Sequence, residues 1–169
     1  MSNDYILEIS KLSKNKKEWL ANAICGIVCS DGVIDQVELA FLKKALGFIG
    51  EKDTVIKMVQ TVKEKKVPEL QNLKDITRAE AFKIYLFIGK LALSDARLTI
   101  DEVDFLRKIG STLGFPSVIC EKLNHIMMQA RNIIREEEEK DFEKNKDWLH
   151  QIELLQEMAL NTEPVWPPE

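Results

Sequence analysis

The stretch Cys29-Ser-Asp-Gly-Val-Ile-Asp-Gln-Val-Glu-Leu-Ala-Phe-Leu-Lys-Lys44 organises this chain, because residues 93–108 repeat it without a gap. The two copies share a Ser-Asp pair, a Glu three residues after the turn and a Phe-Leu pair, and apolar residues match apolar residues between them. In both copies an apolar run at helical spacing precedes a short acidic turn, and an amphipathic run follows it. The repeat therefore predicts two helix-turn-helix units, over about 16–66 and 77–134.

Length and composition predict an all-α protein. The chain has 169 residues, of which 45% are hydrophobic, and this is enough to build a sizeable core. Gly and Pro are scarce and helix formers dominate, so we expect about seven or eight helices. We expect a single helical domain over 1–134, a charged and then amphipathic helix over 135–160, and an extended Pro-rich tail over 161–169.

Charge and cysteine content indicate the class of partner and the compartment. The net charge of −4 argues against nucleic acid, which is normally bound by a basic face. Three cysteines without a small-scaffold spacing indicate a reducing compartment. The longest uncharged run is far shorter than the roughly 20 residues that span a bilayer. We expect a cytoplasmic protein that does not span the membrane.

Local signals predict several helix ends. Asn15 is a candidate N-cap for the first long helix. The sequence Thr77-Arg-Ala-Glu80 fits a capping box, in which the side chains of the first and last residue satisfy free backbone N–H groups. Pro68 prevents the preceding helix from continuing. The first long helix can stop at Gly32, since glycine takes the left-handed conformation that closes many helices. The helix that follows the second acidic turn is expected to end around Gly114.

The acidic turns have a purely structural interpretation that covers only part of them. Residues 35–38 (Asp-Gln-Val-Glu) and 99–102 (Thr-Ile-Asp-Glu) both fit a capping box, which needs no ligand. Asp31 and Asp95 remain unexplained, since each follows the end of a predicted helix, where exposed carbonyl groups disfavour a carboxylate.

Two explanations of this aspartate pair stay open. The carboxylates can reach across the turn to the start of the next helix, or they can hold a divalent cation together with the capping residues. Like charges crowded in a turn repel, and a hard cation with oxygen ligands relieves the repulsion. The turn is too short for the calcium loop of an EF-hand. Calcium, magnesium, manganese and zinc are not distinguished. If the two repeats pack with approximate two-fold symmetry, seven acids could converge on one negative surface: Asp31, Asp35, Glu38, Asp95, Asp101, Glu102 and Asp104.

The doubled Ser-Asp-Gly-Val-Ile-Asp-Gln-Val-Glu-Leu-Ala-Phe-Leu and Ser-Asp-Ala-Arg-Leu-Thr-Ile-Asp-Glu-Val-Asp-Phe-Leu resembles the TerB-like (tellurite-resistance) domain, over about 16–134. The resemblance implies an all-helical domain of two repeated units with a metal site in the acidic turns. The metal ligands that it implies are Asp31, Asp35 and Glu38 in the first copy and Asp95 and Glu102 in the second. It also implies a bacterial cytoplasmic module that acts in stress responses through protein partners, at the inner membrane face, rather than by catalysis. Ala96 and Thr99 depart from the pattern in the second copy, which implies a weaker or a single metal site.

Other residues give little support to catalysis. Cys25 and Cys29 stand four apart on one helix and could bind a metal, but burial in this apolar helix is the favoured interpretation. His125 and His150 lack a nucleophile or acidic partner at a recognisable spacing. A carboxylate metalloenzyme is disfavoured, because helical di-metal sites usually recruit Glu and His pairs in a buried core.

The last fifth of the chain offers two candidate docking elements. An amphipathic helix can dock on the core or on a partner through Trp148, Leu149, Ile152, Leu154, Leu155 and Met158. Three alternatives are open for Trp166, which stands beside Pro167 and Pro168: it belongs to a peptide that docks on a partner, it packs on its own domain, or it is disordered. The leading functional hypothesis is a non-enzymatic module that binds a divalent cation and a protein partner. The alternative is a structural or adaptor domain whose acidic turns only cap helices.

Overall fold

A computed structural model describes residues 7–30, 36–92, 100–137 and 146–168, with the side chains of 37, 38, 41, 130–137 and 146 outside that description. All regular structure in these ranges is helical, which confirms the predicted all-α class. Two 3₁₀ turns, Ile9–Lys11 and Leu46–Ile49, accompany the α-helices. The helices are α1 (Lys14–Cys29), α2 (Gln36–Ala45), α3 (Lys52–Lys63), α4 (Arg78–Ala92), α5 (Ile100–Thr112), α6 (Ser117–Glu137) and α7 (Lys146–Leu160).

The helices belong to two compact units. One unit spans Glu8–Gln71 and contains α1 to α3, and the other contains Asn72 and the residues that follow it, with α4 to α7. None of the helices in the described ranges is long and apolar enough to cross a membrane.

In the first unit, α1 is the central element and contacts α2, α3 and the Leu46–Ile49 turn. Its apolar stripe is buried as the periodicity predicts, and Trp19 Nε1 also donates a hydrogen bond of 2.6 Å to the carbonyl oxygen of Gln71. The helix starts earlier than expected: Ser13 has the extended backbone of a cap, and its Oγ accepts from Lys16 N at 3.3 Å. The prediction that Asn15 caps this helix is therefore wrong, because Asn15 already lies within the first turn.

The end of α3 closes without a glycine. Lys66 N donates to Thr61 O and Lys65 N donates to Val62 O, each at 3.0 Å. These two hydrogen bonds are the pair that defines a Schellman motif. Lys65 takes the left-handed conformation that this closure needs, with φ of +57°. Pro68 follows three residues later, in the predicted connector, so the helix could not have continued far.

In the second unit, α4 contacts α5 and α7, and α6 contacts the same two helices. Eight of the 15 residues of α4 are buried, consistent with its nearly all-round apolar sequence. Gly89 lets α6 approach closely, since a Cβ there would lie 2.5 Å from Met127 Sδ. Tyr85 donates its hydroxyl to Asn124 Oδ1 inside this core. A polar pair thereby joins α4 to α6 where the sequence shows only apolar spacing.

Both predicted signals at the ends of helices in this unit are confirmed. Thr77 caps α4, because its Oγ1 accepts from Glu80 N at 3.1 Å. Beyond α5, Gly114 takes a φ of +90°, and Phe115 N donates to Gly110 O at 3.0 Å. This is again a Schellman closure, here with the glycine that it normally requires.

Candidate functional site

Both acidic stretches fall between two helices. α1 ends at Cys29 and α2 begins at Gln36, while α4 ends at Ala92 and α5 begins at Ile100. Asp31, Asp35 and Asp95, three of the five predicted metal ligands, lie outside the described residues, and so does Gly32, the predicted stop of the first long helix. The helix bounds therefore give the position of the turns in the chain, and the geometry of these three carboxylates stays a prediction.

The other two predicted ligands occupy equivalent positions. Glu38 is the third residue of α2, and Glu102 is the third residue of α5. The side chain of Glu38 lies outside the described atoms, whereas that of Glu102 is half-buried and already engaged in an interaction. The third helical position is where a capping box places its Glu. It also places a carboxylate beside the turn.

No group of three or more His, Cys, Asp or Glu residues that could hold a metal occurs within the described ranges. Asp104, near the second turn, instead forms an ion pair in which Arg107 Nη1 lies 2.7 Å from Asp104 Oδ1. Arg107 Nε also lies 2.7 Å from Glu121 Oε1, linking α5 to α6. Hydrogen bonding to Glu121 is the main reason why the pKa of Arg107 is raised. These are exposed pairs, which usually contribute little to stability.

Two of the cysteines, Cys25 and Cys120, are buried. Cys25 is 3% exposed, and burial raises the pKa of its thiol to about 12. Burial likewise raises the pKa of Cys120 to about 11. A nucleophilic cysteine must be a thiolate, and burial keeps these two thiols protonated at neutral pH. Cys29 is half-buried and engaged in an interaction. The favoured interpretation of Cys25 as a core residue agrees with its burial.

An apolar groove runs between α6 and α7, with a volume of about 390 Å³. The buried face of α7 includes Trp148, whose Nε1 donates to Ile126 O at 3.2 Å, so this helix docks on its own unit. The other face leaves Leu154 and Met158 50% and 43% exposed. Leu154 and Met158 line the groove together with Glu121, Lys122, His125, Ile126, Gln151 and Leu155.

The Pro-rich segment, which we define as residues 163–168, packs on its own unit. Val165 N donates to Gly114 O at 2.7 Å, and Asn72 Nδ2 donates to Pro167 O at 3.0 Å. Trp166 is half-buried beside Gly114 and the Arg78 guanidinium. Of the three alternatives for Trp166, the structure shows packing on its own domain. The sequence did not indicate that Asn72 and Arg78 contact this segment. Of the residues that contact it, only Gly114 was singled out, as the end of a helix.

Comparisons with protein-family models, with curated proteins and with solved structures give no match. The functional argument therefore depends on the residues and contacts of this chain.

Proposed function

We propose that this chain is a non-enzymatic helical module of the TerB-like type that binds a divalent cation at its acidic turns and acts through a protein partner. The observation that most supports this proposal is the equivalent placement of the two acidic stretches. Each lies between two helices, and each is followed by a Glu at the third position of the next helix. Two turns of this composition concentrate carboxylates, and a hard cation offsets their repulsion.

The five proposed ligands contribute unequally. Asp31 and Asp95 follow the ends of α1 and α4, where the helix dipole disfavours a carboxylate by roughly 0.3–1 kcal/mol. A bound cation would offset this cost at each turn. Asp35, Glu38 and Glu102 sit at or near the start of the next helix, where their charge is favourable with or without a metal. Asp31 and Asp95 are therefore the residues whose replacement is informative.

A thermal melting series tests the cation. The wild type is melted with calcium, magnesium, manganese and zinc, and so is the double variant Asp31→Asn with Asp95→Asn. Asp53→Asn with Asp147→Asn is the matched control, because these acids lie in the first turns of α3 and α7 and are exposed. A metal at 100 times its dissociation constant adds roughly 2.7 kcal/mol of stability. We expect this gain in the wild type and the control and its loss in the Asp31/Asp95 variant.

A wild type whose melting temperature no metal raises would refute cation binding. If the Asp31/Asp95 variant were also more stable than the wild type, the turns would contain uncompensated repulsion and no ligand.

A second candidate function is an adaptor without a metal, and the α6–α7 groove favours it. Leu154 and Met158 expose apolar surface that the fold of their own unit does not use. Apolar patches rimmed by polar residues are typical of protein-binding surfaces. Leu154→Ser with Met158→Ser should leave the melting temperature nearly unchanged but abolish partner binding. Ile56→Ser on the other unit, at a residue that is 53% exposed, is the matched control and should retain it.

A further inference from the structure

The Pro-rich segment lies on its unit in the way that a bound peptide lies on a receptor. It contains no helix or strand, and it is held through its main chain: Val165 contributes an N–H and Pro167 a carbonyl oxygen. The partners are the carbonyl oxygen of Gly114 and the side-chain amide of Asn72. Recognition of an extended main chain with one side chain as anchor is a common mode of peptide binding.

Trp166 is the anchor. Its indole lies so close to Gly114 that a Cβ at this glycine would be 2.8 Å from Trp166 Cε2. The Arg78 guanidinium carbon lies 5.5 Å from the centre of the Trp166 ring and 5.1 Å from that of Phe115. Both distances are within the range of a cation–π contact. Glycine, arginine and phenylalanine thus form a site for an aromatic side chain, and tryptophan is a frequent anchor residue at protein interfaces.

The bound state is incompletely satisfied. Arg78 Nη2 donates to Leu113 O at 2.9 Å, but Arg78 Nη1 is buried without a hydrogen-bond partner among the described atoms. The same holds for Trp166 Nε1. A buried donor without an acceptor destabilises the folded state, and this cost disappears when the donor is exposed and forms a hydrogen bond with water. Detaching the segment would therefore restore hydrogen bonds to two groups, which offsets part of the lost contact.

Exposure along the segment agrees with a superficial contact. Val165 is 59% exposed although its N–H is bonded, and Glu163, Pro164 and Pro168 are also exposed. The indole is inserted more deeply, since its Nε1 is buried. Few contacts would have to break for the segment to leave.

We propose that Asn72, Arg78 and the Leu113–Phe115 turn form a peptide-binding site, and that residues 163–168 are its displaceable resident ligand. The external ligand is an extended peptide in which a tryptophan precedes proline, presented by another polypeptide. It takes the place of the resident segment and makes the same contacts. This proposal does not depend on cation binding at the acidic turns.

The test uses the whole chain and a synthetic peptide of residues 161–169 that carries a fluorescent label. Trp166→Ala in the whole chain removes the anchor of the resident segment and leaves the site intact. We expect the peptide to bind this variant at least tenfold more tightly than it binds the wild type. A peptide with alanine in place of its tryptophan is the ligand control, and it should not bind.

The receptor control combines Trp166→Ala with Gly114→Ala, which fills the space of the indole, and circular dichroism checks that this chain is folded. We expect it not to bind the peptide. If the Trp166→Ala chain did not bind the peptide, the surface would not be a peptide site. Equal affinity for the wild type and for Trp166→Ala would place binding elsewhere. Binding retained by the folded Gly114→Ala chain would also overturn the proposal.

Discussion

Gly114→Ala is the single substitution that tests the contact with Trp166 most directly. The φ of +90° at Gly114 already disfavours a side chain, and an L-residue in the left-handed region costs about 1–2 kcal/mol. The added Cβ would also lie 2.8 Å from Trp166 Cε2 and 3.1 Å from Cζ2, against a normal carbon contact of roughly 3.5–4.0 Å. The indole is rigid, so the ring or the end of α5 must move, and such overpacking costs about 1–3 kcal/mol. We expect a total loss of about 2–5 kcal/mol in the free energy of unfolding.

Urea unfolding followed by circular dichroism measures this loss, provided that the slope against urea concentration is unchanged. In the Trp166→Ala background only the backbone penalty remains, so Gly114→Ala should cost about 1–2 kcal/mol there. Gly50→Ala is a second control, because Gly50 has a φ of +76° and nothing lies within 4 Å of an added Cβ. If Gly114→Ala cost the same in both backgrounds, the contact between the indole and this glycine would contribute nothing to the stability of the chain.

Two further predictions concern residues outside the peptide site. Lys65→Gly should raise the free energy of unfolding by about 0.5–1 kcal/mol, because glycine adopts the left-handed conformation of Lys65 at little cost. Lys66→Gly, next to it, should give no gain, and urea unfolding distinguishes the two. The second prediction concerns alkaline pH, since the pKa of Cys25 is about 12 in the fold and its ordinary value is 9.0. The native state keeps this proton where the unfolded chain loses it, so stability is full below pH 9 and falls between pH 9 and 12. Cys25→Ala should make that decline shallower in thermal melts recorded across this range. An unchanged slope would contradict the raised pKa of Cys25 as a cause of the decline.

Local signals predicted the ends of helices where one residue has one dominant physical effect. Thr77 caps α4, Pro68 follows the end of α3, and Gly114 closes α5, each as expected. The prediction failed at α1, where Ser13 and Asn15 are both good caps and only the backbone conformation decides between them. Pro68 limited how far α3 could extend, but no signal marked Lys65 as the residue that closes it, because a lysine disfavours the left-handed conformation found there.

The candidate sites divide in the same way. The acidic residues are visible as a repeat in the sequence, but a cation site depends on distances between side chains that are far apart along the chain. The α6–α7 groove could not be predicted either, because the periodicity of α7 shows which residues are apolar and not which of them a neighbouring helix covers. Burial of Leu155 and exposure of Leu154 are set by the helices around them.

The sequence by itself determined the all-α class, three of the helix ends and the burial of Cys25, because these follow from backbone preferences and from the spacing of apolar residues within a single helix. Only the tertiary structure decided that Tyr85 bonds to Asn124, that α7 keeps an apolar face exposed, and that Trp166 lies on Gly114 beside Arg78. These contacts join residues that are distant in the chain. Their energy depends on three-dimensional fit, and no local preference encodes that fit.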